Sequence, residues 1–418
     1  MERCAEDVMK VVVIDADVSY PPTSGKRLRT LNLLLPLARA HSITYIGRLT
    51  GDDSTAPAAR QFFRDHGIEP VFVHHPLPRK SGLRFYARLA ANLVSTLPYS
   101  VSTHLSRPLR EAAARIAERA DLWHLEWPML QPLVPTESAA PRVVVAHNVE
   151  SQIWRRYVES TTNPFKKLFL DGQRRKFESV EGRELRRADR VIAVSDEDAA
   201  AIRLLGQPRV DVVDNGVDPE YFASVEGPHD PATILFLGAL DWRPNQDALD
   251  LLLSRVFPEV RRQVPQARLL IVGRHPSPAL VNRAADTDGI ELHADVPDVR
   301  PYLGHAGVMA VPLRIGGGSR LKILEALASG VPVVSTRVGA EGLRLVPGEH
   351  FVEADGDAMA GALVHACRNP TEMMRMAESG RTLVRARYDW RQLALKLDQS
   401  WQAAAARTRE AGACASSS

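Results

Sequence analysis

Short β-branched runs alternate with helical stretches along most of the chain, and the pattern occurs twice. Val11–Ile14, Ile43–Ile46, Pro70–Val73, Leu122–Leu125, Val143–Ala146, Val191–Val194 and Val210–Val213 read as strands bounded by polar or turn residues. Arg29–Ala40 and Arg107–Arg119 carry helical patterns between them. The second half repeats the theme with Ile234–Leu237, Leu269–Val272, Val308–Val311 and Val331–Ser335 as strands. Asn245–Val264 and Ser319–Ser329 read as its helices. Strands that are apolar throughout are buried on both faces, and alternation with helices makes their sheets parallel. The fold class is therefore α/β, with two doubly wound, Rossmann-like domains. A length of 418 residues suits that number.

Turn and linker residues cluster at Asn215, Gly216, Pro219, Gly227, Pro228 and Pro231, which places the boundary near 208–232. The expected domains are residues 1–210 and 211–388. A C-terminal helix over 389–407 would cross back to the first domain, and an Ala/Ser-rich tail over 408–418 would be disordered. Residues 1–210 hold 31 Lys+Arg against 24 Asp+Glu, a balance of +7, while 211–418 hold 22 against 26, or −4. This asymmetry suggests different partners for the two halves. Cys4, Cys367 and Cys414 lie too far apart for a metal or disulfide framework, which fits a reducing cytoplasm. Charged residues at the start argue against a signal peptide, and no apolar run reaches the ~20 residues needed to span a bilayer.

The segment GGGSRLKILEALASGVPVVST, residues 316–336, carries the most information. It reads as glycine loop, helix, turn and strand. Gly316, Gly317 and Gly318 allow a close backbone approach to a ligand, and Ser319 is a good N-cap. Gly330 and Pro332 end the helix. Leu321, Leu324 and Ala328 recur on one face, flanked by Ile323 and Leu327, and would pack on the sheet. Lys322 and Glu325 are i, i+3 neighbours on another face. A surface ion pair would account for them. A basic residue in a first helical turn is unfavourable without an anion, however, and Arg320 and Lys322 supply two. The helix start is itself an anion site. Together these features suit a nucleoside diphosphate, with phosphates at the helix start and the ribose near Glu325.

This segment resembles the donor-binding region of the family 4 (glycosyl transferases group 1) retaining glycosyltransferases, which have the GT-B fold. KILEALASGVPVV matches the family's LEAxAxGxPVV block, with Glu325 as the second glutamate of its E-x7-E motif. That resemblance implies a ribose contact for Glu325. Gly317 stands where the first glutamate, a sugar contact, is expected. The glycine-rich loop is similar to that of sugar transferases from polysaccharide loci. YPPTSGKRLRTLNLLLPLAR (20–39) resembles the family's first loop and helix, in which Gly25 would approach the donor phosphate. Lys26, Arg27 and Arg29 make that helix start basic as well, and Arg29 is a candidate on the acceptor side. VVVAHNVES (143–151) places His147 at the end of a strand, which in a doubly wound domain faces the crevice. The resemblance puts His147 near the transferred sugar, with Glu150 a weaker acceptor-side candidate.

Further segments follow the family's order. FLGALDWRPNQDALDLLL (236–253) resembles the first strand and helix of the second domain, but Ala239 and Pro244 replace phosphate-binding arginine and lysine. Arg243, Arg320 or Lys322 could substitute. LLIVGRHP (269–276) adds Gly273 and Arg274 near the nucleotide, and IELHADVPDVRPYL (290–303) resembles the segment that passes the base. The family implies no metal and no cofactor beyond the nucleotide sugar. Asp15-Ala16-Asp17, Asp196-Glu197-Asp198 and Asp355-Gly356-Asp357 mimic a metal-binding DxD, but patterns this short recur by chance. No motif places the two carboxylates of a glycosidase, and no GxGxxG of a dehydrogenase follows the first strand.

Residues 154–190 hold 11 basic and 6 acidic residues, with Trp154, Phe165, Leu168, Phe169 and Phe177 as apolar anchors. Arg79, Lys80, Arg84, Phe85 and Arg88 form a second mixed patch. Such faces can lie on anionic membranes, although a solvated, salt-bridged helix is an equal explanation. No nucleic-acid module accompanies the charge. The expectation is a retaining hexosyltransferase using a UDP- or GDP-sugar. Its acceptor would be a glycan or lipid-linked sugar in surface polysaccharide or glycoconjugate synthesis. It would be cytoplasmic, at the inner face of the plasma membrane if the basic face meets lipid. Closure of the domains would bring Gly25 and His147 to the donor. The alternatives are another GT-B enzyme such as a nucleotide-sugar epimerase, or a catalytically silent GT-B subunit.

Overall fold

The computed structural model describes residues 8–49, 53–78, 81–161, 163–225, 227–315 and 320–416. The chain folds into two units, the first taking residues up to Asp214 and from Leu393 onward, the second Asn215–Gln392.

The first unit is built on seven parallel strands: β1 (Lys10–Asp15), β2 (Ser42–Leu49), β3 (Ile68–His74), β4 (Leu122–Leu125), β5 (Arg142–Ala146), β6 (Arg190–Ala193) and β7 (Val210–Val212). Their order is β3-β2-β1-β4-β5-β6-β7. Val13 pairs with Tyr45 on one side and His124 on the other. β1 is thus the strand at which the winding reverses, and the crevice at its carboxyl end is where such sheets bind ligands. Val12, Ile14, Trp123, Leu125 and Val144 lie in one buried cluster with helix residues Leu109 and Ala112.

The second unit has β8 (Asp230–Leu237), β9 (Arg268–Gly273), β10 (Ile290–Ala294), β11 (Ala306–Val311), β12 (Val333–Ser335) and β13 (Val352–Glu353). The order β10-β9-β8-β11-β12-β13 again reverses at its first strand, β8. Ile234, Phe236, Ile271, Met309 and Val334 are buried with Leu324 and Leu327 of the covering helix. Two strands were not expected from the sequence. β10 is an edge strand that alternates polar residues (Glu291, His293) with half-buried Ile290 and Leu292, and β13 has only two residues.

The stretch expected as one helix over Asn245–Val264 is three consecutive pieces. Helix Arg243–Leu251 passes through a π-helical turn, Leu252–Val256, into helix Phe257–Gln263. Pro258 explains the wide turn, since its ring excludes the carbonyl four residues back and removes a donor.

The last helix runs Trp390–Ser416. It continues through 408–416, where a disordered tail was expected, as an extension of the helix-favouring alanine run at 403–406. From Leu393 it belongs to the first unit, where Trp401 is fully buried. Burying an indole stabilises by roughly 3–5 kcal/mol. Two histidines tether it: His41 Nε2 lies 2.7 Å from Asp398, and Trp401 Nε1 donates to His124 Nδ1 at 3.1 Å. Among the described residues, no helix is long and apolar enough to cross a membrane.

Candidate functional site

In the second unit the helix Leu321–Ala328 follows β11 and packs Leu321, Ile323, Leu324 and Leu327 inward. Its N-cap residue is Arg320, without a side-chain cap. The expected cap Ser319, with Gly317 and Gly318, lies outside the described residues. Lys322 and Glu325 are half-buried, one turn apart. Lys322 Nζ donates to Asn245 Oδ1 at 3.1 Å and stands 5.2 Å from the Phe236 ring centroid. Asn245 is itself oriented, because its amide donates to Ala239 O at 2.8 Å. Gly238, directly after β8, makes the space. A Cβ there would lie 2.8 Å from Lys322 Nζ and 2.6 Å from Asn245 Nδ2.

The electrostatics of this pair are unfavourable in the unliganded protein. Burial, then repulsion from Arg320, lowers the Lys322 amine to about 8, although Glu325 pulls the other way. Burial raises the Glu325 carboxyl to about 7, against the pull of Lys322. Each group is pushed toward neutrality, and an anion beside Lys322 would reverse its shift.

The other second-unit candidates are dispersed in role. Arg320 is 6% exposed and donates to Val338 O at 2.8 Å and Glu341 O at 3.4 Å, holding the turn after β12. Arg243 opens its helix as an exposed residue, and Arg274 is exposed after β9. Gly273 has a packing reason to be glycine. A Cβ there would come 1.8 Å from Gly238 O, inside any tolerable contact.

In the first unit, the helix Gly25–Leu37 begins at Gly25 with Ser24 as N-cap. Its basic start is neutralised from within. Lys26 pairs with buried Asp15 at the end of β1, and Arg27 Nη2 reaches Asp17 Oδ2 at 2.5 Å. Asp15 also accepts from Tyr45 at 2.6 Å and Ser19 at 2.8 Å. The Asp15-Ala16-Asp17 mimic and the cation cluster are therefore each other's partners. The expectation for Arg29 is corrected. It is 1% exposed and donates to Val213 O and Asp214 O, each at 2.6 Å, securing the chain after β7 rather than facing an acceptor. Burial lowers its guanidinium to about 10 despite Glu126 and Asp214.

His147 follows β5 directly, and its Nε2 lies 2.8 Å from Glu126 Oε2. Glu126 follows β4, so adjacent strands deliver the two side chains to one carboxyl edge. Burial would raise Glu126, but hydrogen bonds from His124 and His147 outweigh it and hold the carboxyl well below its ordinary range. Burial lowers the His147 imidazole, outweighing Glu126, and nearby Arg29 and Lys26 add to the lowering. Glu150 opens the helix Glu150–Ser160, whose backbone N–H groups at Glu150 and Ser151 donate to Glu181 at 2.7 and 3.0 Å. Burial, then the Glu181 charge, raises Glu150 to about 7. Glu126, His124 and Asn245 were missed in the sequence. Their signal was position: a polar residue ending a buried strand, or one buried in a first helical turn.

The apolar anchors of 154–190 divide. Phe177 is core and stacks on Trp154 at 5.3 Å, whereas Phe165 and Leu168 are 84% and 75% exposed. Leu83, Tyr86 and Leu93 are exposed on a neighbouring helix, Leu83–Leu93, and Val94 is exposed directly after it. Lys176, on the helix Pro164–Arg187, joins it to that helix by donating to Asn92 O. No cluster of three or more His, Cys, Asp or Glu among the described residues is placed to hold a metal ion.

Two family models match the chain: Glycosyltransferase Family 4 over residues 29–221 and Glycosyl transferases group 1 over 231–369. The GDP-mannose-dependent alpha-(1-6)-phosphatidylinositol monomannoside mannosyltransferase of Mycolicibacterium smegmatis is 30% identical over 202 residues, 44% of this chain and 52% of that protein. The chain thus spans about half the length of that relative. The lipopolysaccharide core mannosyltransferase LpcC of Rhizobium leguminosarum bv. viciae is 25% identical, covering 72% of this chain and 90% of its own. Among solved structures, Anabaena Alr3699/HepE in complex with UDP and glucose superposes with a TM-score of 0.65 at 14% identity, over 94% of this chain and 99% of that one. This likeness establishes the GT-B fold.

Proposed function

The chain belongs to glycosyltransferase family 4, and from that premise we propose that it moves a hexose, with retention, from a nucleoside-diphosphate sugar to a glycan or lipid-linked acceptor. The Lys322–Glu325 pair carries this reading. Positions 239 and 244 lack the cations that the family resemblance expects for phosphate. Lys322 supplies one from another element, since its ammonium lies against Gly238 and Asn245, beside both positions. In this reading the ammonium and the helix start stabilise charge on the departing diphosphate, and Glu325 accepts from ribose hydroxyls. In the first unit, His147 bonds a sugar hydroxyl. No metal is invoked, because Lys322 and backbone N–H groups do the electrostatic work.

The mannosyltransferase relatives make GDP-mannose the first donor to try, and the UDP-bound neighbour makes UDP-glucose the second. Calorimetry with GDP and UDP should give a dissociation constant between micromolar and millimolar for one of them. Unchanged binding in both Lys322→Ala and Glu325→Ala would remove the site assignment. Binding without transfer to any acceptor would favour the silent subunit, and free-sugar interconversion would favour the epimerase.

The exposed Phe165, Leu168, Leu83 and Tyr86, interleaved with Lys166, Lys167 and Arg84, suit peripheral contact with an anionic bilayer. Co-sedimentation with vesicles containing anionic lipid, weakened by the double variant Phe165→Ser/Leu168→Ser, is the outcome this contact requires.

A further inference from the structure

One buried carboxylate in the first unit organises a chain of side chains whose proton positions can be deduced. Glu126 is 4% exposed. Its Oε1 lies 3.1 Å from His124 Nε2, and its Oε2 lies 2.8 Å from His147 Nε2 and 2.9 Å from Thr30 Oγ1. On the far side of the His124 ring, Trp401 Nε1 stands 3.1 Å from Nδ1. An indole nitrogen can only donate. His124 Nδ1 is therefore the acceptor, and in the neutral ring the proton is on Nε2, directed at Glu126. The ionised carboxylate can only accept, so Thr30 donates its hydroxyl and His147 must donate from Nε2. His147 Nδ1 then carries the lone pair. That nitrogen has no hydrogen-bond partner among the described residues, and the side chain is 17% exposed.

We propose that Glu126 is a positioning residue that fixes His147 as the Nε2–H tautomer, leaving Nδ1 to accept a hydrogen bond from a sugar hydroxyl. Trp401 anchors the far end of the relay by holding His124 Nδ1 as the acceptor, while the carboxylate itself fixes the His147 proton. The hydroxyl as partner rests on the proposed glycosyl transfer, whereas the tautomer does not. The site would discriminate by donor capacity. A sugar whose facing hydroxyl is deoxy or O-methylated offers no proton, and the open nitrogen would then be left unpaired.

The relay makes a sharp expectation for Glu126→Gln. Glutamine keeps one acceptor oxygen and gains an NH2 group. Trp401 still locks His124 as an Nε2–H donor, so the amide oxygen must face His124. The NH2 then faces Thr30 and His147, whose Nε2 must accept. The His147 proton moves to Nδ1. Nitrogen NMR of the full chain with 15N-labelled histidine reads this directly, and His147→Gln identifies the resonances. The expected result is Nε2–H for His147 in the wild type and Nδ1–H in Glu126→Gln. In Glu126→Gln/Trp401→Phe the lock is lost, and the Nε2–H form should partly return. Transfer should fall at least tenfold in kcat for Glu126→Gln, with nucleotide affinity unchanged.

An Nδ1–H tautomer in the wild type, or no change in Glu126→Gln, overturns the proposal whatever the activity. If Glu126→Gln does not fold, the wild-type spectrum decides it, Nε2–H supporting the proposal and Nδ1–H overturning it. Absence of transfer in the wild type refutes the proposed function and leaves the tautomer result standing.

Discussion

Two helices in this protein begin with clustered cations, one in each unit, and they are built on opposite principles. At the Gly25–Leu37 helix, Lys26 and Arg27 are matched by Asp15 at the end of β1 and Asp17 in the loop that follows. At the Leu321–Ala328 helix, Lys322 has a neutral amide and an aromatic face, and its carboxylate neighbour Glu325 is pushed toward protonation. The first arrangement completes its charges within the fold. The second leaves a desolvated cation at a helix start, a state that a bound anion would relieve. Basic residues at a helix start therefore point to a ligand only where no acid within the fold has already paired with them.

The largest expected effect tests the second helix. Lys322→Met should weaken nucleoside diphosphate binding by about 100-fold, the loss of a charge-assisted bond in a partly dry site. Lys26→Met should change that affinity by less than about threefold. Equal losses in the two variants, measured by titration calorimetry, would erase the distinction.

Stability should respond in the opposite sense. Lys26→Met leaves Asp15 buried without its cation and should cost about 2 kcal/mol in urea unfolding at pH 7. Lys322→Met should stabilise the unliganded protein by about 1 kcal/mol. The sign follows from the shift. The Lys322 amine falls from 10.5 to about 8 on folding, so its cost is full below pH 8 and disappears as pH rises toward 10.5. Glu325 rises from 4.5 to about 7, so its cost is absent below pH 4.5 and full above pH 7. Glu325→Gln should accordingly stabilise at pH 8 by about 1 kcal/mol and have no effect near pH 4.5. Partial exposure of both groups keeps these figures below the full shifts.

Much of this contrast lay outside the reach of the sequence. The doubly wound sheets were legible because most inner strands hold a short apolar run with a helix after it. The LEA-type helix was legible because its buried and polar residues separate by periodicity. Pairings across distant segments were not. Nothing local says that Asp15 neutralises Lys26, or that Asn245 reaches Lys322 across 77 positions. Arg29 looked like an acceptor contact because a single cation in a helical pattern does not reveal its direction, and it points at backbone carbonyls. Gly273 looked like a ligand contact, and it is the closeness of Gly238 that demands it.

The smallest effect separates the two helix starts by proton count. With the Lys322 amine at about 8, about half of the molecules carry the proton at pH 8 before ligand binds. A phosphate beside the amine favours the ammonium and raises that value, so binding should draw in roughly half a proton at pH 8. Calorimetry in two buffers of different ionisation enthalpy measures the uptake, because the protons come from the buffer and carry its heat. In Lys322→Met the observed enthalpy should become independent of buffer. In Lys26→Met the uptake should match the wild type, since that cation is satisfied by Asp15 with or without ligand. Equal enthalpies in both buffers for the wild type would mean that the phosphate does not sit beside Lys322, and the contrast between the two helix starts would then lose its functional half.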